Sequence, residues 1–134
     1  MFSEEKIAYI QSQHLDRLAT VASDGQPDVV SVGFKFDGDL FYIGGMNPAG
    51  TRRHKNILDG NTQVALILDD LESVDPWKPR GIRMYGTAEI VERAGRTGPR
   101  VSHKITPVVS WSWSIVGPAM VAGKFTPHKV YHQR

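Results

Sequence analysis

The sequence predicts a small, mainly β barrel of six or so antiparallel strands, with one helix inserted midway along the meander. Three observations predict it. Two Asp-Gly turns, Asp24-Gly25 and Asp37-Gly38, separate runs rich in β-branched and aromatic residues. Gly81 to Glu92 alternates, with Ile82, Met84, Ala88 and Ile90 on one side and Arg83, Tyr85, Thr87 and Glu89 on the other. The chain has 134 residues, enough for one core and not for two, so residues 1–134 read as one domain.

In chain order, Ser3 to Gln11 reads as a short amphipathic helix. Ser3 caps it, Glu4 and Glu5 fill its first turn, and Ile7 with Ile10 forms the apolar face. Leu18 to Ala22, Val29 to Phe36 and Leu40 to Ile43 follow as strands. Pro48-Ala49-Gly50 then turns into a helix that Thr51 caps and Gly60 stops. Gln63 to Leu68 is apolar on both faces, which predicts cover on both sides, by the barrel core and by a partner subunit. Gly86 interrupts the apolar side of its strand and predicts a bend or a close approach. Asp75 to Gly81 and Ala94 to Pro99 read as loops. Ser110 to Ser114 reads as an extended segment with Trp111 and Trp113 on one face, and Val130 to His132 as a last edge strand.

Composition narrows the chemistry. A formal charge of +2 is too small to indicate a nucleic-acid binder. There are no cysteines, which removes disulfides, thiolate metal sites and cysteine nucleophiles. No segment approaches a membrane span and the first residues are acidic, so a cytoplasmic protein is expected. The five histidines show no metal-binding spacing, and His128 with His132 falls in a strand context where i, i+4 does not converge; no metal is expected. No Gly-x-Ser-x-Gly elbow is present. Asp69, Asp70 and Asp75 read as solvated acids at a strand end and in a loop.

Four segments remain as candidates. Thr51-Arg52-Arg53-His54-Lys55-Asn56 puts cations at a helix start, where the macrodipole is positive, a pattern that suits phosphate or a solvated basic end. Val30-Ser31-Val32-Gly33 and Ile43-Gly44-Gly45 place a hydroxyl and bare glycines on strands, which suits a flat ring or a crowded crossing and a tight turn. Trp77-Lys78-Pro79-Arg80 is a stiff aromatic and cationic stretch that folds back on the barrel, covers a ligand or crosses a dimer interface.

Taken in order, these segments resemble the pyridoxamine 5′-phosphate oxidase-like superfamily of flavin- and deazaflavin-binding split barrels. The resemblance rests on Arg17 to Pro27, Val29 to Gly33, Ile43-Gly44-Gly45, the Thr51-Arg52-Arg53 helix start and Val64 to Leu68. Asp69 to Ile82, with its Val-Asp-Pro-Trp-x-Pro-Arg-Gly core, together with Arg83 to Glu89 and Val109-Ser110-Trp111, is similar to the actinobacterial F420-dependent subgroup.

The resemblance implies a six-stranded antiparallel split β-barrel with Greek-key-like topology and one or two short helices. It also implies a homodimer with cofactor sites at the interface. It places a cofactor phosphate on Thr51, Arg52 and Arg53, with Lys55 and Asn56 as secondary contacts. It lays the ring along Val30-Ser31-Val32 and Ile43-Gly44-Gly45, and brings Trp77, Lys78, Pro79 and Arg80 from the other subunit. The implied function is an F420-dependent reductase moving hydride to an electron-poor small molecule, with no assigned catalytic residue and Tyr85, Ser31 or water as proton donor. The anionic tail of F420 falls to Lys78 and Arg80, or to Arg96 and Arg100. The alternatives are an FMN oxidoreductase on the same fold and a non-catalytic flavin, F420 or tetrapyrrole binder. Ile43-Gly44-Gly45 departs from the FMN-dependent oxidases, Asp28 and Ser31 flank a missing basic residue, and only Arg134 stands near the pyridoxal phosphate grip. Pyridoxamine phosphate oxidation is therefore not expected.

Overall fold

A computed structural model describes residues 2–134. Helix α1 (Glu4–Ser12) begins as predicted: Ser3 is extended and its hydroxyl accepts from the Lys6 amide at 3.4 Å. Its buried face carries Tyr9 and Ile10 and, against expectation, Lys6. The Lys6 ammonium lies 2.8 Å from His128 Nδ1, and burial lowers its pKa.

Ten strand segments follow: β1 (Leu15–Val21), β2 (Pro27–Gly33), β3 (Lys35–Phe36), β4 (Phe41–Ile43), β5 (Gln63–Ser73), β6 (Lys78–Gly95), β7 (Gly98–Trp113), β8 (Met120–Val121), β9 (Lys124–Phe125) and β10 (His128–Tyr131). The main sheet runs β2-β1-β5-β6-β7-β4-β3, and every pairing in it is antiparallel. The predicted strand Val29 to Phe36 is broken at Phe34 into β2 and β3. Counted as one bent strand, it stands at both ends of that path, and the sheet closes into the six-stranded split barrel that the sequence predicts. β10 adds to the outside of β7, and β8 with β9 forms a separate hairpin.

Alternation places the core. On β6, Ile82, Met84 and Ala88 are buried while Arg83, Tyr85, Thr87 and Glu89 point outward, as read from the sequence. Leu18, Phe41, Ile43, Leu66, Leu68 and Ile105 belong to the same cluster, each fully or nearly fully buried and each worth about 1.5–3 kcal/mol in transfer from water. Gly86 sits where the β6–β7 register shifts, and a Cβ there would stand 2.7 Å from the Thr106 carbonyl oxygen. Both the bend and the close approach are realised.

Two expectations are corrected. Asp75 to Gly81 is a loop only as far as Trp77: residues 74–77 form a turn, and β5 and β6 continue past the barrel as a hairpin, with Asp70 opposite Arg80, because cross-strand pairing satisfies backbone that a loop would leave to water. Asp69 and Asp70 therefore lie within β5. Ala94 to Pro99 is likewise the tip of the β6–β7 hairpin, with Gly95 opposite Gly98. Within this chain β5 is covered by the barrel core on one side, where Val64, Leu66 and Leu68 are buried, and Ala65 and Ile67 on the side expected to meet a partner are half-exposed. Trp111 and Trp113 do share a face, the outer one, while Ser110 and Ser112 are buried between them. Among the described residues no helix is long and apolar enough to cross a membrane.

Candidate functional site

A cleft of about 720 Å³ opens between β2, the end of β4, the segment leading into α2 (Arg52–Leu58), and the β6–β7 hairpin. That size suits a cofactor-sized ligand. Five cationic residues line it, Lys35, Arg53, Arg93, Arg96 and Arg100, and no carboxylate residue does. None of Arg53, Arg93, Arg96 or Arg100 is in an ion pair among the described residues. Arg93 and Arg100 face each other across the hairpin, a like-charge pairing that is unfavourable without a shared counter-charge. The Arg93 guanidinium lies 3.8 Å from the Tyr42 ring centroid, and Arg100 Nη2 donates to the carbonyls of Gly45 and Met46 at 3.1 and 3.2 Å.

The strand end before α2 supplies the opposite wall. Gly45 has φ +115°, a conformation glycine adopts without strain. A Cβ on Gly44 would meet no atom within 4 Å, so the backbone there borders open space. Ser31 and Gly33 share the exposed face of β2, and Val30 and Val32 are half-buried.

Thr51 caps α2 as predicted, accepting from the His54 amide at 3.2 Å and donating to the Pro48 carbonyl at 2.6 Å. Its hydroxyl is thus already engaged. Arg53 reaches under the strand end and is 7% exposed. Its Nε donates to His103 Nδ1 at 3.0 Å and its Nη2 to the Gly44 carbonyl at 2.8 Å. His103, fully buried on β7, also lies 2.9 Å from His54 Nδ1 through its Nε2. Burial first, then the charges of Arg53 and His54, hold the His103 pKa down to about 4. Asp16 on β1 is fully buried, and burial pushes its pKa up to about 8 against the pull of Arg53 and Arg17.

The cleft thus brings together Val30, Ser31, Val32, Gly44, Gly45, Thr51 and Arg53. Gly33, Arg96 and Arg100 also line it, and the remaining sequence candidates lie off it within this chain. The Ile43 side chain is in the core. Arg52 is exposed outside the lining, and Lys55 is exposed and paired with Asp59 at 2.9 Å. Asn56 is buried and donates to the Thr20 hydroxyl at 2.9 Å. Trp77, Lys78, Pro79 and Arg80 stand on the β5–β6 hairpin, where Arg80 grips Asp70 through Nε and Nη2 at 2.8 and 3.0 Å. Arg134 is committed to Asp39 and to the Pro107 carbonyl. Among the described residues no group of histidines and carboxylates has metal-binding proximity.

Sequence reasoning missed Lys35, Tyr42, Arg93, Asp16 and His103. A signal existed for Arg93 with Arg96 and Arg100: three arginines within eight residues around a glycine-flanked turn.

Comparison with known proteins agrees with this architecture. A family model described as pyridoxamine 5′-phosphate oxidase matches residues 2–133. A 5a,11a-dehydrotetracycline/5a,11a-dehydrooxytetracycline reductase from Streptomyces rimosus subsp. rimosus is 33% identical over 97 residues, covering 71% of this chain and 68% of the relative. A conserved hypothetical protein of Mycobacterium tuberculosis superimposes with a TM-score of 0.67 at 25% identity, covering 92% of this chain and 94% of that one. A protein described as an F420 reductase shares the fold with a TM-score of 0.53 at 22% identity, over 72% of this chain and 87% of its own.

Proposed function

The chain belongs to the pyridoxamine 5′-phosphate oxidase family, and from that premise we propose that it is an F420-dependent reductase of an electron-poor small molecule. The observation that carries this reading is a cleft lined by five cationic residues and no carboxylate, bordered by a bare Gly44-Gly45 strand end. When bound, the cofactor supplies the hydride chemistry; the protein contributes binding, orientation and exclusion of water.

The residues present fit such a group. Arg53 and the backbone around Thr51 would hold a phosphate, with the guanidinium as a charge-assisted donor. Val30, Ser31, Val32, Gly44 and Gly45 would take the ring, the glycines because no Cβ stands between backbone and cleft. Of the two pairs of cations considered for an oligoglutamate tail, Arg96 and Arg100 line the cleft, and Lys35 and Arg93 extend their field. Val30, Val32 and Phe34 give that wall an apolar character that excludes water. Ser31 lines the cleft and is the better placed proton donor, since Tyr85 lines a separate groove. The Streptomyces relative is named as a reductase, which supports the direction of the chemistry.

FMN shares the ring, ribityl and phosphate of F420 and is the second reading, favoured by the same Arg53 position. Equilibrium titration of the purified protein with both cofactors separates the two. Tighter binding of F420 supports the proposal, FMN binding alone replaces it with the second reading, and binding of neither sinks both.

We further infer a homodimer. Val21, Val29, Tyr85 and Val108 are exposed on the outer sheet, and a second groove of about 490 Å³ with Ala65 and Val109 joins them. A contiguous apolar face of this kind marks an interaction surface. A second copy would cover the open side of β5. Sedimentation of wild type and Val108→Glu tests this: a dimer and a monomer are expected, and a monomeric wild type refutes it.

A further inference from the structure

We propose that two residues outside the cleft lining control how Arg53 meets a phosphoryl group: His103 as a positioning residue that holds the guanidinium, and the buried Asp16 through its charge. This rests on the phosphate reading of the cleft given above.

The hydrogen-bond pattern allows one arrangement of protons. Arg53 has donors and no acceptor, so His103 Nδ1 must offer its lone pair and carry no proton. The His103 proton is then on Nε2 and points to His54 Nδ1, which accepts it. His103 is therefore a neutral acceptor locked from both sides, and its buried setting on β7 keeps it so. Held at Nε by His103 and at Nη2 by the Gly44 carbonyl, Arg53 keeps the rest of its fork free. Its Nη2 is 3.8 Å from where a Cβ on Gly45 would stand, so the fork lies directly below the strand end that borders the cleft.

Asp16 is the unusual member. It has no exposed surface, and neither carboxyl oxygen has a hydrogen-bond partner among the described residues. A buried polar group in that state calls for a reason. The charges acting on it are Arg53 from α2 and Arg17 from its own strand, and its opposite on β2 is the apolar Val32. Arg17 is itself paired with Asp69 at 2.7 Å. Protonated, Asp16 leaves the Arg53 charge available to an anion in the cleft. Ionised, it competes with that anion for the same guanidinium. Burial places the change near pH 8, above the second ionisation of a phosphate monoester at about 6, so the ligand's own titration does not mask it.

FMN against riboflavin isolates the phosphoryl contribution, and F420 against its deazariboflavin core, which also lacks the anionic tail, reports phosphate and tail together; both pairs are titrated by fluorescence from pH 6.5 to 9.5. Wild type should prefer the phosphorylated member, with the preference for FMN over riboflavin falling roughly tenfold as pH rises through 8. Asp16→Asn should keep the preference across the range. His103→Asn, which retains an acceptor near Nδ1, should keep most of it at pH 7, whereas His103→Leu should lose about tenfold. Independently, nitrogen NMR of the unliganded protein should show His103 with Nδ1 unprotonated and Nε2 protonated at pH 7. An Asp16→Asn profile that falls like wild type overturns the role of the Asp16 charge, a His103→Leu variant with full preference or a protonated Nδ1 overturns the positioning role, and each leaves the phosphate reading standing. A wild type that prefers the phosphorylated member of neither pair overturns both.

Discussion

Two hairpins leave this barrel, and they treat their arginines in opposite ways. At the base of the β5–β6 hairpin, Arg80 is bidentate on Asp70 and lies over the Tyr9 ring at 5.1 Å. On the β6–β7 hairpin, Arg93, Arg96 and Arg100 line the cleft with no carboxylate partner among the described residues. The first hairpin carries the sequence motif most specific to a subgroup; the second carries the unneutralised charge. A distinctive motif and a ligand-ready charge are separate properties: an ion pair already satisfied within the fold has little left to offer an anion, whereas arginines facing each other across a ladder gain from one.

The largest effect should come from removing that free charge. Arg96→Ala with Arg100→Ala should weaken F420 binding by about 3 kcal/mol, taking roughly 1.5 kcal/mol for each charge-assisted contact at the low end of its range. Riboflavin binding should hardly change, and the wild-type preference should shrink as salt rises. Calorimetric titration at two ionic strengths checks this. A Trp77→Ala variant that matched the double mutant would break the contrast, because the first hairpin would then serve the cleft as strongly as the second.

A smaller effect should show that the first hairpin is anchored by packing. A Cβ on Gly81 would stand 2.6 Å from Trp113 Cζ2 and 2.8 Å from the Leu68 carbonyl oxygen. Gly81→Ala should lower stability by about 1–3 kcal/mol in urea unfolding, with cofactor affinity unchanged. Unchanged stability would show that this hairpin base yields more readily than its packing indicates.

What was legible in the sequence follows the same division. The barrel was legible because Asp-Gly turns, alternation on β6 and the Ser3 and Thr51 caps are local signals, and local signals specify strands and helix ends. The glycines, Ser31 and Arg53 were legible for the same reason. Hairpin length was not: nothing local tells a Pro-rich loop at Asp75 to Gly81 from a hairpin whose far side supplies Asp70. Nor was the fate of Arg52 against Arg53, since one residue along a helix turns the side chain by about 100°, and only the tertiary position of His103 decides which one is buried. Asp16 gave no signal, because an isolated acid in a strand reads as surface until the strand's inward face is known.

The Asp70–Arg80 pair offers the finest test of the contrast, because its charge should matter to folding and not to the cleft. Arg80, burial and the Tyr9 hydroxyl act on the Asp70 carboxylate, and the hydrogen bond from Arg80 is foremost in holding its pKa below the usual 3.8. A carboxylate whose pKa is lowered on folding contributes stability that is present above the unfolded value and lost as pH falls through the folded one. At pH 7, Asp70→Asn should therefore unfold at lower urea concentration, by about 1 kcal/mol for a partly exposed pair. The difference should close as pH falls below about 4, where wild type protonates and loses the same interaction. A gap that persists once pH has fallen below the folded value would assign the effect to hydrogen-bond geometry around Tyr9, and a loss of cofactor affinity at pH 7 would tie this hairpin to the cleft after all.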